Sequence, residues 1–181
     1  LSAIFVNQDG IIKFANRRGI ELSEYSEEEL INSSMKQLVH PEDRPLVDEI
    51  VKRRLTGEEP ARHYEFRGIT KTGNTLWLES VGTRIEYLGT DAVLVHLNDI
   101  SDRKKAEEAL RESEQRYRSL IEEAKDIIYT IDLNTNTISS ANSFGGAILG
   151  YKHEEVIGMS FLTVINPEDH QILTDTLIRR I

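Results

Sequence analysis

Residues 64–80 read YEFRGITKTGNTLWLES, and the fold turns on them. Tyr64, Phe66 and Gly68 alternate with His63, Glu65 and Arg67. Beyond the TKTGN turn, Leu76, Leu78 and Ser80 alternate with Trp77, Glu79 and Val81. A period of two sends successive side chains to opposite faces of an extended strand. A further turn at Leu88–Asp91 leads into AVLVHLNDI (92–100), so the three runs predict an antiparallel meander with one face toward a core. Upstream, AIFVNQDGIIKFAN (3–16) sets two short apolar runs around Asp9-Gly10, a hairpin signal because both central positions require positive φ.

Between the hairpin and the meander the texture is helical. Ser26-x-x-Glu29 reads as a capping box. Pro41, Glu42 and Asp43 suit the first turn of a longer helix over about 42–56, where the dipole favours acids. In it Leu46, Val47, Ile50, Val51 and Leu55 form a one-sided stripe, and Gly57 and Pro60 end it. Hairpin, short helices and three strands predict an α+β domain: one five-stranded antiparallel sheet with helices on one face.

Composition narrows the class. The chain has 181 residues, 39% apolar and 29% charged, with a mean hydropathy of −0.40, as in soluble globular proteins. No apolar run approaches the ~18–20 residues that span a bilayer. The first ten residues lack the basic start and apolar core of a signal peptide; they read as a strand, so the chain is expected to begin inside a domain. A net charge of −9 argues against a nucleic-acid surface, which needs clustered Lys and Arg. The absence of Cys excludes disulfides, thiolate metal sites and thiol catalysis, and favours a cytoplasmic setting, within a polypeptide that can be membrane-anchored elsewhere.

Residues 102–125, DRKKAEEALRESEQRYRSLIEEAK, carry seven acidic and seven basic residues and no Gly or Pro. Glu107–Arg111, Glu112–Arg116 and Glu114–Arg118 are favourable i,i+4 pairs. Ala106, Leu110, Ser113, Tyr117, Leu120 and Ala124 make a heptad-like stripe. Two readings stand: a solvated helix packed on its own domain, or a linker helix that pairs with its twin in a homodimer.

LVHPED (38–43) returns as VINPED (164–169). A shift of 126 residues aligns 15–55 with 141–181 without a gap. It gives thirteen identities in forty-one positions, among them Ala15/Ala141, Asn16/Asn142, Gly19/Gly145, Ser34/Ser160 and Arg53-Arg54/Arg179-Arg180. Chance gives about one match in fifteen to twenty. AIFVNQ pairs with IIYTID (127–132), the second loop being two residues longer. A period this long implies tandem globular domains rather than a solenoid. Nothing after Ile181 supplies the three later strands, so the chain is expected to be part of a longer protein.

In their order and spacing, AIFVNQDGIIKFAN, YSEEEL before HPED, YEFRGITKTGNTLWLES and NDISDRKKAEEAL resemble the PAS family. The last is similar to the family's closing D-I-T-x-R-K motif, with Ser101 in place of Thr. The resemblance covers essentially the whole chain: a PAS domain at 1–101, a signalling helix at 102–124 and the N-terminal part of a second PAS domain at 125–181. It implies a sheet and helices enclosing a small cavity. The module would detect a ligand or partner and relay the change through its C-terminal helix to an effector domain in the same chain. In bacteria and archaea that output is most often a histidine kinase in a phosphorelay, with diguanylate cyclases and transcriptional regulators as alternatives. The implied homodimer would form through the helix and PAS surfaces, without nucleic acid and without direct membrane contact in these residues.

No cofactor is expected. The family's flavin photosensors form a cysteine adduct, which this chain cannot, and the positions of their flavin-binding amides fall on Gly68, Leu78 and Leu97. Haem-binding members use a His in the long helix, and 42–56 has none; His40 and His170 lie at helix entrances, while His63 and His96 fall on the outward strand face. The cavity implied by the resemblance would be lined by Leu38, Leu46, Ile50, Tyr64, Phe66, Leu78, Ser80, Val95 and Leu97, with Tyr64 and Ser80 as polar handles. These residues either fill a core or admit a small ligand. With no Arg or Lys among them, a carboxylate ligand is disfavoured. At the junction, Ser101 is a good N-cap with Asp102 in the first turn, and by resemblance Asp99 holds the helix start through Arg103.

No catalytic site is expected. HPED and NPED read as helix-entrance features. His153-Glu154-Glu155 resembles a phosphoacceptor His-Glu, but Val156-Ile157-Gly158 follows it and His153 aligns with Glu27. The nucleotide, zinc-protease and hydrolase sequence signatures do not occur.

Overall fold

The computed structural model describes residues 2–56 and 63–172, in two compact units, 1–108 and 109–181, whose border falls inside one long helix. In the first unit β1 (Ala3–Gln8) and β2 (Ile11–Ala15) form the expected hairpin, with Asp9 at φ 53° and Gly10 at φ 82°. Asn16 then fixes the chain's direction. Its Oδ1 accepts from the amides of Ile4 (3.0 Å) and Gly19 (2.8 Å), and its Nδ2 donates to the Ser2 carbonyl (3.1 Å). One side chain thus caps α1 (Arg17–Ser23) and ties it to β1. The Ser26/Glu29 capping box opens α2 (Glu27–Leu30) as read from sequence.

Two 3-10 turns, Met35–Leu38 and Pro41–Asp43, lead to α3 (Arg44–Leu55). The meander follows as β3 (His63–Ile69), β4 (Thr75–Tyr87) and β5 (Thr90–Asp99), then α4 (Ser101–Glu123). The sheet order is β2-β1-β5-β4-β3, antiparallel throughout. Phe5, Ile12, Leu30, Phe66, Val93 and Leu97 are buried in the core on its helix-covered face.

Two expectations change here. The PED triplet is a separate 3-10 turn, and α3 starts three residues later with Pro45 in its first turn. Asp43 makes no capping bond. It accepts from the Arg67 backbone amide (2.6 Å) and from that residue's guanidinium (Nε 3.1 Å, Nη2 2.5 Å), and Glu42 joins at 2.9 Å. His40 donates its amide to the Arg67 carbonyl at 2.8 Å. HPED is therefore a tie from the helix entrance to β3 rather than a cap for α3.

The buried face of α3 is also rotated from the expected stripe. Ile50 and Arg54 are buried and Val47 and Val51 partly so, at spacings i, i+3, i+4 and i+7, whereas Leu46 is 50% exposed. Each helical residue turns about 100°, so a stripe centred on Val47, Ile50, Val51 and Arg54 puts Leu46 in solvent. Arg54 belongs inside because Gly82 on β4, lacking a Cβ, leaves room for its guanidinium. The expected stop at Gly57 and Pro60 lies outside the described residues, as do Arg179 and Arg180.

In the second unit β6 (Tyr129–Asp132) and β7 (Thr137–Ala141) pair as a hairpin. Tyr129 faces Ala141 as Phe5 faces Ala15, and each ladder slips one step further on. Asn142 accepts from the amides of Ile128 (3.0 Å) and Gly145 (3.1 Å) and donates to the Asp126 carbonyl (2.9 Å), as Asn16 does in its own unit. α5 (Ser143–Leu149), α6 (His153–Val156) and 3-10 turns at Phe161–Val164 and Pro167–Asp169 follow. Ile138, Val156 and Phe161 form this unit's buried cluster.

Asn16→Ala should destabilise the first unit by about 2 kcal/mol, since it strands backbone donors at a cap. Trp77, the chain's single tryptophan, reports that unit's urea transition by fluorescence. The Arg67 hydrogen bonds hold the Asp43 carboxyl below the usual carboxylate range. A depressed folded value adds stability above about pH 4 and loses it as pH falls through that lower value. Asp43→Asn should therefore be less stable than the parent at pH 7. The two urea midpoints should converge as the pH is lowered below about 4, the ordinary aspartate range.

Candidate functional site

β5 ends at Asp99, and α4 begins two residues later, with only Ile100 between. The Ile100 side chain is buried, its amide donates to the Trp77 carbonyl (2.9 Å), and its carbonyl accepts the first helical bond from Lys104 (2.9 Å). The Ser101 amide donates to Asp99 Oδ1 (2.9 Å), while Ser101 Oγ accepts from the Trp77 amide (3.0 Å). Ser101 is thus not the N-cap: its hydroxyl reaches back to β4 instead of into its own helix.

Arg103 does not bond Asp99. It pairs with Glu65 on β3 (2.8 Å), whose other carboxylate oxygen takes Lys104 (2.6 Å). Lys104 also lies 5.1 Å from the Trp77 ring centroid. Lys104, then Arg103, hold the Glu65 carboxyl below its ordinary range, so these bonds stand at neutral pH. The first turn of α4 is thereby fastened to β3 through Glu65, to β4 through Trp77 and to β5 through Asp99. The sequence reading missed Glu65, Trp77 and Lys104. The period-two pattern already put Glu65 and Trp77 on the outer face, where α4 must start.

The expected cavity is nearly filled. Leu38, Phe66, Leu78, Val95 and Leu97 pack as core with Tyr64 against them, the Tyr64 and Phe66 rings stacking at 5.7 Å. Ile50 is buried on α3, and Leu46 is outside. The void among Phe5, Leu38, Leu78 and Leu97 is about 20 Å³, room for one water. Ser80 is fully buried, and its Oγ has no hydrogen-bond partner among the described residues.

A larger opening of about 340 Å³ lies between α3 and the end of the β1–β2 hairpin. Asn7, Gly10, Met35 and Val39 line one part of it. Arg44, Val47, Asp48, Val51 and Lys52 line another, spaced as one helical stripe. Asn7 is 6% exposed, and its Oδ1 has no hydrogen-bond partner among the described residues. Among those residues no group of three or more His, Asp or Glu could hold a metal, and no helix is long and apolar enough to cross a membrane. Ser80→Ala should raise the urea midpoint by the equivalent of about 1 kcal/mol, since it removes a buried hydroxyl that bonds nothing.

Family models described as the PAS fold match residues 12–95 and 115–181. Sporulation kinase E of Bacillus subtilis is 32% identical over 123 residues, covering 67% of this chain and 16% of that protein. An uncharacterised protein, y4lL of Sinorhizobium fredii, is 26% identical over 161 residues, covering 82% and 18%. The chain thus spans less than a fifth of these curated relatives. A solved sensory box histidine kinase/response regulator from Burkholderia thailandensis is 24% identical with a TM-score of 0.52, covering 65% of this chain and 91% of that one; it shows the fold. PAS domains are sensory, non-catalytic modules of signalling proteins. With its sheet order, its strand-to-helix junction and two matching stretches, the chain belongs to the PAS family.

Proposed function

We propose that this chain is the regulatory part of a signalling histidine kinase, in which a change in the first unit passes through α4 to an effector on the same polypeptide. One observation carries the reading: the central strand of the sheet runs into α4 across a single residue, and three strands grip the helix's first turn. A shift of β5 moves Asp99 and Ile100, and the helix start with them. The similarity to sporulation kinase E supports a kinase as the effector. Leu110, Tyr117 and Leu120 on α4 are more than 60% exposed, which supports pairing with a second copy through the heptad-like stripe.

A second reading is a spacer that binds nothing and only pairs copies. The 20 Å³ void in the expected cavity favours it.

In the full-length protein, Asp99→Ala with Ser101→Ala should flatten the response of autophosphorylation to its stimulus; regulation that persists unchanged would sink the relay. In the 181-residue chain, Glu65→Gln should speed hydrogen exchange of the amides at 103–106, while those of β1 stay protected.

A further inference from the structure

The turn that enters α3 is built twice, and histidine stands at a different place in each copy. In the first unit His40 caps the Pro41–Asp43 turn, its Nδ1 accepting from the Glu42 amide at 3.4 Å. In the second unit Asn166 caps Pro167–Asp169, its Oδ1 accepting from the Glu168 amide at 3.2 Å. The backbones match, with φ and ψ of −55° and 136° at His40 and −57° and 130° at Asn166. Four residues later the titratable ring belongs to the other unit. Arg44 Nε donates to the Val39 carbonyl at 3.2 Å, and His170 Nε2 lies 3.0 Å from the Ile165 carbonyl. The shift of 126 residues brings each of these positions onto its counterpart.

Histidine is the side chain that changes charge between about pH 5 and 8, whereas an amide stays neutral and a guanidinium stays charged. A neutral ring at His40 offers Nδ1 as an acceptor; a charged ring carries a proton there and can only donate. Acid therefore removes this cap from the Glu42 amide. The carboxylates beside the ring are already engaged. Asp43 accepts from the Arg67 amide and guanidinium, and Glu42 pairs with the same guanidinium at 2.9 Å. The Arg67 bonds outweigh the charge on His40 in holding the Asp43 carboxyl low, and Arg44 adds a second cation to the turn. At His170 the sign reverses. Its Nε2 faces a carbonyl, and a charged ring donates from both nitrogens and more strongly. The acids next to it in sequence, Glu168 and Asp169, carry the opposite charge.

We propose that acidification acts on this turn in opposite senses in the two units: charging of His40 releases the entrance of α3, and charging of His170 tightens the matching turn. The release reaches the sheet of the first unit. The His40 amide donates to the Arg67 carbonyl at 2.8 Å, and Val39 bridges Gly68 on β3. This deepens the reading of the first unit as a sensor, and rests on it, by naming the proton as a stimulus.

NMR titration of the 181-residue chain from pH 8 to 5.5 tests it, and each unit supplies the other's control. The Glu42 amide signal should move with the same midpoint as the His40 ring protons. His40→Asn puts the second unit's residue at that position and should leave the Glu42 amide still. Its urea midpoint, followed at Trp77, should match the parent's at pH 8 and exceed it at pH 5.5. The gain at pH 5.5 should be about fivefold in the folded-to-unfolded ratio, the size of one lost cap. The Ile165 carbonyl carbon should shift with the His170 ring, and in His170→Arg it should stay still. A Glu42 amide that ignores the His40 ring overturns the release, as does a urea gap that does not widen toward acid. An Ile165 carbonyl that ignores the His170 ring overturns the tightening. Both variants carry a residue that the matching turn already holds, so loss of the fold does not mimic a flat profile. None of these readouts uses the α4 relay, so a relay that fails in the full-length protein leaves them unchanged.

Discussion

The last strand of the sheet lies at its centre. β5 is the fifth strand in sequence, yet it pairs along Val93–Leu97 with β1 and along Thr90–Asp99 with β4. A strand laddered on both edges cannot slide alone; it moves its neighbours or breaks two sets of hydrogen bonds. Because β5 becomes α4 within one residue, the most constrained strand in the unit is also the one that hands the chain on. The exposed ion pairs of Glu65 are each weak by themselves, as surface pairs generally are. They act with the Ser101–Trp77 and Asp99–Ser101 bonds to give the helix start one preferred seat.

The Asp43–Arg67 tie holds the opposite wall. It joins the turn before α3 to β3, and the Lys36–Asp48 pair joins the preceding 3-10 turn to α3 itself. Between these ties α3 packs Val47, Ile50, Val51 and Arg54 inward. The sheet's centre is consequently filled, while room remains beside α3, at the end of the hairpin. The proposed relay therefore has two ends in one unit: a wall of α3 beside which room remains, and a central strand that runs into α4.

Much of this was legible beforehand because it depends on residues near one another in the chain. Asp9-Gly10 demanded a hairpin, Ser26 and Glu29 a capped turn, and the alternation from His63 to Leu97 a meander. The Asn16/Asn142 identity marked a shared local device, since each side chain bonds backbone within twenty-one residues of itself. Of the residues expected to line a cavity, Phe66, Leu78, Val95 and Leu97 on the strands are buried, whereas Leu46 on the helix is exposed. A strand offers only two faces, so Phe66, Leu78, Val95 and Leu97 had no third choice. A helix can rotate by a fraction of a turn, and Leu46 fell on the wrong side of that rotation.

What the sequence determined by itself was the class of fold, the order of its elements and the residues that start and turn them, because propensity, capping and periodicity act over a few positions. Only the tertiary structure decided which partners meet across longer separations. Arg67 takes Asp43 twenty-four residues away, Arg103 takes Glu65 rather than Asp99, and Ser101 turns to Trp77. Those choices depend on where strand register and helix rotation place each side chain in three dimensions. The same cause left Asn7 Oδ1 buried with no hydrogen-bond partner among the described residues, an arrangement that no spacing along the chain announces.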